Sequence, residues 1–365
     1  MGYDSVLRLA KGIKPLDAAA MTAAEAHLDR LTKPPGSLGK LEGLAVKLAG
    51  ITGEVRPAFP KRTVVVMAAD HGVCEEGVSA FPAEVTPQMV LNFLAGGAAV
   101  NVLARQASAD VVCVDIGVNA DLEHPGLVRQ KIRYGTGNMA KGPAMSREEA
   151  EAAILAGANL VADAVSRGVR LFVTGEMGIG NTTASAAIMS GLTGAAPLAS
   201  VGRGTGINDE RLRHKIAVVE RALELNRPDA NDPLDVLAKV GGLEIAGLTG
   251  VILGAAAERS PVVIDGFIST VAALIAARLA PEAVGYMVAS HVSHEQGHRQ
   301  LLKELGLVSM LELDMRLGEG TGGVLALHLI DAACRIVSEM ATFESAGVAD
   351  GSDSESGSGS GENHQ

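Results

Sequence analysis

Tryptophan is absent from this 365-residue chain, and aromatic residues of any kind make up only 2% of it. The core must therefore be built from Ala, Val, Leu, Ile and Met. Cysteine is almost as scarce. Cys74, Cys113 and Cys334 are odd in number and show no metal-knuckle spacing. They read as buried free thiols in a reducing compartment, not as a disulfide framework. Basic clusters are missing too. Lys and Arg total 31 against 42 Asp and Glu, leaving a formal charge of -11. Without a dense Lys/Arg face to neutralise phosphates, nucleic acid is excluded as a partner. No uncharged apolar run reaches membrane-spanning length, since the best candidate, GLEIAGLTGVILGAAAE (242–258), carries Glu244 and several glycines. The opening segment MGYDSVLRLAKGIKPLD lacks the apolar stretch of a signal peptide, and Val6 breaks the myristoylation pattern. The expectation is a cytoplasmic protein without a membrane partner.

What is present is a globular composition, 47% hydrophobic and 20% charged, with 44 glycines, many of them clustered. Such clusters mark tight turns or close backbone approach to a ligand. Short β-branched runs alternate with longer helical ones. The strand candidates are TVVVMAA (63–69), DVVCVDI (110–116), VRLFVT (169–174), PVVIDG (261–266) and VGYMVAS (284–290). Each is a continuous apolar run, which suits strands buried on both faces. The best-marked helix starts after Ser146, with Glu149 completing a capping box, and runs to Gly168. The alternation predicts an α/β fold, a Rossmann-like and mainly parallel sheet flanked by helices. Residues 1–60 and 310–346 read as a small helical domain, 61–309 as the large α/β domain, and the acidic Gly/Ser tail 347–365 as disordered.

Ligands of open parallel sheets bind beyond the carboxyl ends of the strands, so the segments that follow the strands carry the interest. VTGEMGIGNTTAS (173–185) reads as a strand ending at Thr174, a loop with Gly175, Gly178 and Gly180, and a helix starting near Asn181 or Thr182. Glycines there let backbone amides approach an anion at a helix N-terminus. The loop is neither a Walker A motif nor a dinucleotide fingerprint. On pattern alone it reads equally as a turn with Asn181 or Thr182 as a helix cap. VGRGTGINDERLRHK (201–215) is a second such piece. Gly202, Gly204 and Gly206 precede a helix capped by Asn208, and Lys215 stands where it either reaches an anion or lies solvated on a helix face. Glu176 and Glu319 each sit among glycines. A dry pocket would raise either carboxylate toward the range of a general base, while a loop Glu facing water would do nothing. His294, Glu295 and His298 satisfy H-E-x-x-H, the pattern of a zinc hydrolase. Gly297 inside the would-be helix and the absence of a third ligand count against that reading. With His291, the stretch reads instead as polar residues at a strand end near an anionic ligand.

Taken together, LTKPPGSLGKLE, AADHGV, EVTPQMV, GEMGIGNTT, VGRGTG, IDGFIST, RLGEGTGG and EMATFESAGV resemble one family, the nicotinate-nucleotide–dimethylbenzimidazole phosphoribosyltransferases of cobalamin lower-ligand assembly. The resemblance spans about Leu31 to Val348. It implies a homodimer and a transfer of ribose 5-phosphate from nicotinate mononucleotide to 5,6-dimethylbenzimidazole, with no cofactor and no metal. It also implies Glu319 as the base, with Glu176 near the ribose and the reacting bases. Phosphate and ribose contacts are implied for Gly178, Gly180, Asn181, Thr182, Gly204, Lys215, Gly266 and Ser293. The acceptor pocket is implied at Phe81, Gln88, Met89 and Leu317. Some relatives are expected to carry serine where this chain has Phe81, so the aromatic either stacks on the acceptor or fills space. Transfer to another base, or a nucleotide-binding protein that has lost catalysis, are the remaining alternatives.

Overall fold

The computed structural model describes residues 4–204 and 206–349. Six strands form one sheet: β1 (Arg62–Ala69), β2 (Asp110–Gly117), β3 (Leu127–Arg129), β4 (Leu171–Met177), β5 (Val262–Ile264) and β6 (Met287–Ala289). They lie in the order β3-β2-β1-β4-β5-β6, every neighbouring pair parallel. The apolar runs explain this. From Thr63 to Ala69 every residue of β1 is buried, as covering helices on both faces require. The strand order reverses between β1 and β4, and that switch point opens a crevice at the strands' carboxyl ends.

β4 runs past the expected end at Thr174. Gly175, Glu176 and Met177 stay in register with Val66, Met67 and Ala68 of β1. Glu176 therefore sits on a strand end, not in a loop. Conversely, residues 284–286 of the expected last strand belong to the short 3-10 helix Pro281–Tyr286. The capping box at Ser146 and Glu149 opens the helix Arg147–Ser166.

That helix lies against Leu243–Ala257, a helix buried along almost its whole length. Here glycines serve packing. A Cβ on Gly157 would strike the Gly247 carbonyl, and one on Gly250 would strike the Ile154 carbonyl. The two backbones touch because neither carries a side chain at the crossing.

The chain divides into two compact units, one comprising Met1–Leu16 with Phe59–Leu329 and the other Asp17–Ala58 with Ile330 onward. These limits differ from the expected 1–60 and 310–346. The opening segment belongs with the larger unit because Tyr286 donates its hydroxyl hydrogen bond to the Lys14 carbonyl at 2.8 Å and Leu16 packs on Gly285. Residues 310–329 belong there because Leu311–Glu312 pairs with His291–Val292, and Gly320 and Gly323 bind Asp265. In the smaller unit, Asp17 caps the helix Ala18–Asp29, and Lys33 pairs with Glu42 at 2.9 Å. Most of the tail expected to be disordered, residues 350–365, lies outside the described residues.

All three cysteines are free thiols, with Cys113 buried and Cys74 and Cys334 only partly so. By length and composition Val85–Gln106 and Thr321–Glu339 each pass as a membrane span, although no such run was expected from the sequence. The first is broken between the helices Val85–Leu94 and Ala99–Gln106. Half of the most apolar window in the second is buried inside the protein, and core helices pass the same test.

Candidate active site

A cavity of about 350 Å³ opens at the carboxyl ends of β4, β5 and β6. Its upper wall is apolar, formed by Phe81, Val85, Met89, Ile179, Phe267 and Leu317. Its floor is acidic. Glu176 arrives at the end of β4, Asp265 directly after β5, His291 two residues beyond β6, and Glu319 from the turn before the helix Thr321–Glu339.

Glu319 is buried at 7% exposure and holds a left-handed backbone, φ +62°, between Gly318 at +89° and Gly320 at +95°. Such a conformation costs a non-glycine residue about 1–2 kcal/mol, so its surroundings must enforce it. They do so at several points. The Thr321 hydroxyl donates to the Gly318 carbonyl at 2.8 Å. The Glu319 N–H donates to Glu176 Oε1 at 3.4 Å. The Glu319 carbonyl presses on Gly175, where a Cβ would collide with it. The carboxylate itself accepts the Val100 N–H at 3.2 Å. Burial pushes its pKa above the usual 4.5 against that hydrogen bond, and the Asp265 charge adds to the rise.

Glu176 is buried and accepts a short hydrogen bond from Asn181 Nδ2. Burial, then the charges of Asp265 and Glu244, raise its pKa to about 8. At neutral pH it is mostly a neutral acid, able to donate a hydrogen bond. Behind the cavity, His71 and Glu244 pair at 2.7 Å with both side chains almost inaccessible. Burial lowers the His71 pKa, but the Glu244 carboxylate more than restores it. His71 lies against Gly178, where a Cβ would stand 3.3 Å from Nε2.

An adjoining recess of about 50 Å³ holds Gly180, Thr182, Gly204 and Lys215. Gly180 has φ +94° and sits at the start of the helix Asn181–Thr193. The Lys215 ammonium donates to Thr182 Oγ1 at 2.8 Å. Although Lys215 follows the start of the helix Asp209–Asn226 by two turns, it is 1% exposed. Burial lowers its pKa to about 8. A Cβ on Gly204 would lie 3.6 Å from its Nζ. A polar recess of about 560 Å³ continues from there past Arg203, His294, Glu295 and Arg316. An anion cradle of this kind beside an apolar wall and the carboxylates of Glu176, Asp265 and Glu319 fits a ligand with a phosphate at one end and a flat base at the other.

A family profile described as Phosphoribosyltransferase matches residues 13–348. The chain is 62% identical over 340 residues to nicotinate-nucleotide–dimethylbenzimidazole phosphoribosyltransferase of Chloroflexus aggregans (strain MD-66 / DSM 9485), covering 93% of this chain and 96% of that one. The protein of the same name from Geobacter sulfurreducens (strain ATCC 51573 / DSM 12127 / PCA) is 57% identical over 340 residues, covering 93% of this chain and 97% of the other. A crystal structure of the Thermus thermophilus protein of that name superposes with a TM-score of 0.87 at 49% identity, covering 92% of this chain and all of that one. The chain belongs to this phosphoribosyltransferase family.

Most residues singled out from the sequence gather at this one place. Glu319, Glu176, Gly178, Asn181, Thr182, Gly204, Gly266, Ser293, Phe81, Met89 and Leu317 line the main cavity. Gly180 and Lys215 line the adjoining recess. Gln88 does not join them. It is exposed, because Val85 and Met89 take the cavity face of their helix and Gln88 is turned about 100° from Met89. The zinc-hydrolase pattern also fails. The helix starts only at His298, so His294 and His298 share no helical face. Both ring nitrogens of His298 are engaged, Nδ1 by the Ser293 N–H at 2.8 Å and Nε2 by Thr270 Oγ1 at 2.9 Å. Burial first, then the charges of His291 and Arg299, lower its pKa to about 3. Among the described residues no group of three His, Cys, Asp or Glu is placed to hold a metal ion.

Asp265, Arg316 and Phe267 were not foreseen as site residues. Asp265 had a visible signal, as a lone acid at the carboxyl end of the run PVVIDG. Arg316 and Phe267 had none beyond proximity in sequence to Glu319 and Gly266.

Proposed function

We propose that the protein transfers the 5-phosphoribosyl group of nicotinate mononucleotide to 5,6-dimethylbenzimidazole, giving α-ribazole 5′-phosphate and nicotinate, with Glu319 as the general base. The observation that carries the assignment is a buried carboxylate of raised pKa, held in an enforced left-handed turn in a cavity whose other lining includes Phe81, Met89, Phe267 and Leu317. Family membership supplies the substrate class.

The chemistry asks little of the protein. The donor's pyridinium leaves as nicotinate, its ring nitrogen becoming neutral as it takes the electron pair of the broken C1′–N bond. No acid is needed for that departure. The acceptor's unprotonated ring nitrogen forms the new bond to C1′, while its N–H proton must go elsewhere. One carboxylate at hydrogen-bond distance takes it, and Glu319 has that role. A β donor and an α product imply inversion, hence a single displacement without a covalent enzyme intermediate. Glu176, protonated near neutral pH, faces the ribose and adds no second charge beside Glu319. Lys215, Thr182 and Gly204 receive the 5′-phosphate. Gly178, Gly266 and Ser293 flank the ribose, and Phe81, Met89 and Leu317 close on the acceptor ring.

The test is direct. Protein mixed with nicotinate mononucleotide and 5,6-dimethylbenzimidazole releases nicotinate and forms a new ribotide. Absence of release with any of several benzimidazoles rejects the assignment. A second reading concerns the acceptor alone. Phe81 is 50% exposed at the cavity, where a stacking ring tolerates other flat bases. Competition between benzimidazoles, phenols and adenine measures that preference. The same reading carries a cytoplasmic homodimer, for which exposed Leu91, Val102 and Leu198 offer apolar surface.

A further inference from the structure

We infer that Asp265 is the positioning residue for the base. It clamps the turn that carries Glu319, so that the carboxylate of Glu319 faces the cavity before the acceptor arrives. The inference rests on the assignment of Glu319 above.

The geometry is specific. Asp265 follows β5 and is 2% exposed. Its Oδ2 accepts the Gly320 N–H at 3.2 Å, and its Oδ1 accepts the Gly323 N–H at 2.9 Å. The Gly322 N–H points to the same carboxylate. Asp265 therefore satisfies the unpaired amides at the start of the helix Thr321–Glu339 with one charged group, which also suits the helix dipole there. Its own N–H donates to Thr174 Oγ1 at 3.2 Å, and the Thr174 hydroxyl donates to the Val263 carbonyl at 3.1 Å. The clamp is thus anchored to both β4 and β5. On its other side, His291 Nδ1 stands 3.9 Å away and contacts Ser290 Oγ at 3.0 Å.

Asp265 lines the cavity, but both its carboxylate oxygens are taken up by backbone amides of the turn, which separates this role from proton abstraction. Glu319 is the residue between two left-handed glycines, and among the described residues no hydrogen bond of the turn other than the Asp265 pair ties it to β5. Loss of the clamp would leave the turn held by the Thr321–Gly318 bond, the Glu176 and Val100 contacts and the packing on Gly175, with no tie to the end of β5 to keep φ at +62°.

The test uses the full chain with Asp265→Asn, which keeps the shape and one acceptor oxygen but turns an NH₂ toward one of the amides. Three readouts apply. The variant loses kcat by tenfold or more while KM for nicotinate mononucleotide stays within about threefold. In a Glu319→Gln background the same substitution changes kcat by less than twofold, because the group it positions is gone. Amide hydrogen exchange in the peptide spanning 316–324 accelerates at least tenfold, with the rest of the protein unchanged. An equal loss of kcat in both backgrounds, or unaltered exchange in that peptide, overturns the inference. If wild-type protein turns over no base at all, the proposed function fails, yet the exchange measurement still decides whether Asp265 holds the turn.

Discussion

Glu319 and Glu176 are two buried carboxylates joined through one backbone N–H, and burial raises the pKa of both. In Glu319 the Val100 N–H opposes burial and the Asp265 charge, whereas in Glu176 burial and the charges of Asp265 and Glu244 outweigh the Asn181 and Glu319 N–H donors and carry the pKa to about 8. A base must be ionised to act, so Glu319→Gln removes the proton acceptor without removing the shape. We expect kcat to fall by roughly 10²–10⁴ with binding of the nicotinate nucleotide largely kept, as steady-state kinetics and a binding isotherm will read. Near-normal turnover would show that another group takes the proton. Glu176 makes a separate prediction about stability. Its folded pKa of about 8 lies above the ordinary 4.5 of a glutamate, so the folded state binds the extra proton between those limits. That contribution is complete below about pH 4.5, declines as pH rises, and is lost above about pH 8. Gln at 176 has no proton to lose. The stability of Glu176→Gln relative to wild type therefore rises between about pH 5 and pH 9, on the order of a few kcal/mol by chemical denaturation. Lys215 titrates in both proteins and drops out of the difference. Parallel pH curves would mean that Glu176 is ionised throughout.

At the scale of elements, strands carrying an apolar run were legible, the three-residue β5 and β6 included, and those without one were not. β1, β2 and β4 carry continuous apolar runs that are largely buried, which a sequence reading can find. β3, with three residues, and the two-residue pair His291–Val292 and Leu311–Glu312 have no pattern to detect, since their pairing partners alone define them. The end of β4 was hidden because Gly175 resembles a loop residue. It stays in the strand because the Glu319 carbonyl presses there and permits no side chain. In the turn of the proposed base, the sequence showed a glutamate flanked by glycines and the family resemblance implied its role, whereas its anchor Asp265 needed the fold to bring β5 beside it. Helix glycines misled in the other direction, because those at the crossing of Arg147–Ser166 and Leu243–Ala257 serve packing instead of a ligand. Gly250→Ala tests that crossing. Alanine gains about 1 kcal/mol over glycine in an isolated helix, but its Cβ here meets the Ile154 carbonyl. Overpacking against backbone outweighs the gain, and we expect net destabilisation of about 1–3 kcal/mol in a denaturation curve. A stabilised variant would show that the helices separate at little cost.

At the scale of the whole molecule, every residue that lines the cavity comes from the larger compact unit, so occupancy of the site is linked to the unfolding of that unit. The chain carries a formal charge of -11, and the cavity floor adds Glu176, Asp265 and Glu319, which makes an anionic donor an unexpected guest. Two features reconcile them. Burial and neighbouring charge raise the Glu176 pKa to about 8, which leaves that carboxyl mostly uncharged at neutral pH, and Lys215 and Arg316 line the recesses proposed to receive the phosphate. Binding to the folded state alone adds RT ln(1 + [L]/Kd), about 2.7 kcal/mol at a hundred times Kd. For a unit of this size that is a rise of roughly 4–5 °C in the thermal midpoint. Nicotinate mononucleotide should produce it in wild type and in Glu319→Gln alike, because the base acts after binding. In Lys215→Ala the rise should shrink, since the ammonium that meets the phosphate is gone. Calorimetry at saturating donor distinguishes the cases. An undiminished shift in Lys215→Ala would move the phosphate out of the recess between Thr182 and Gly204 and into the neighbouring one lined by Arg203 and Arg316.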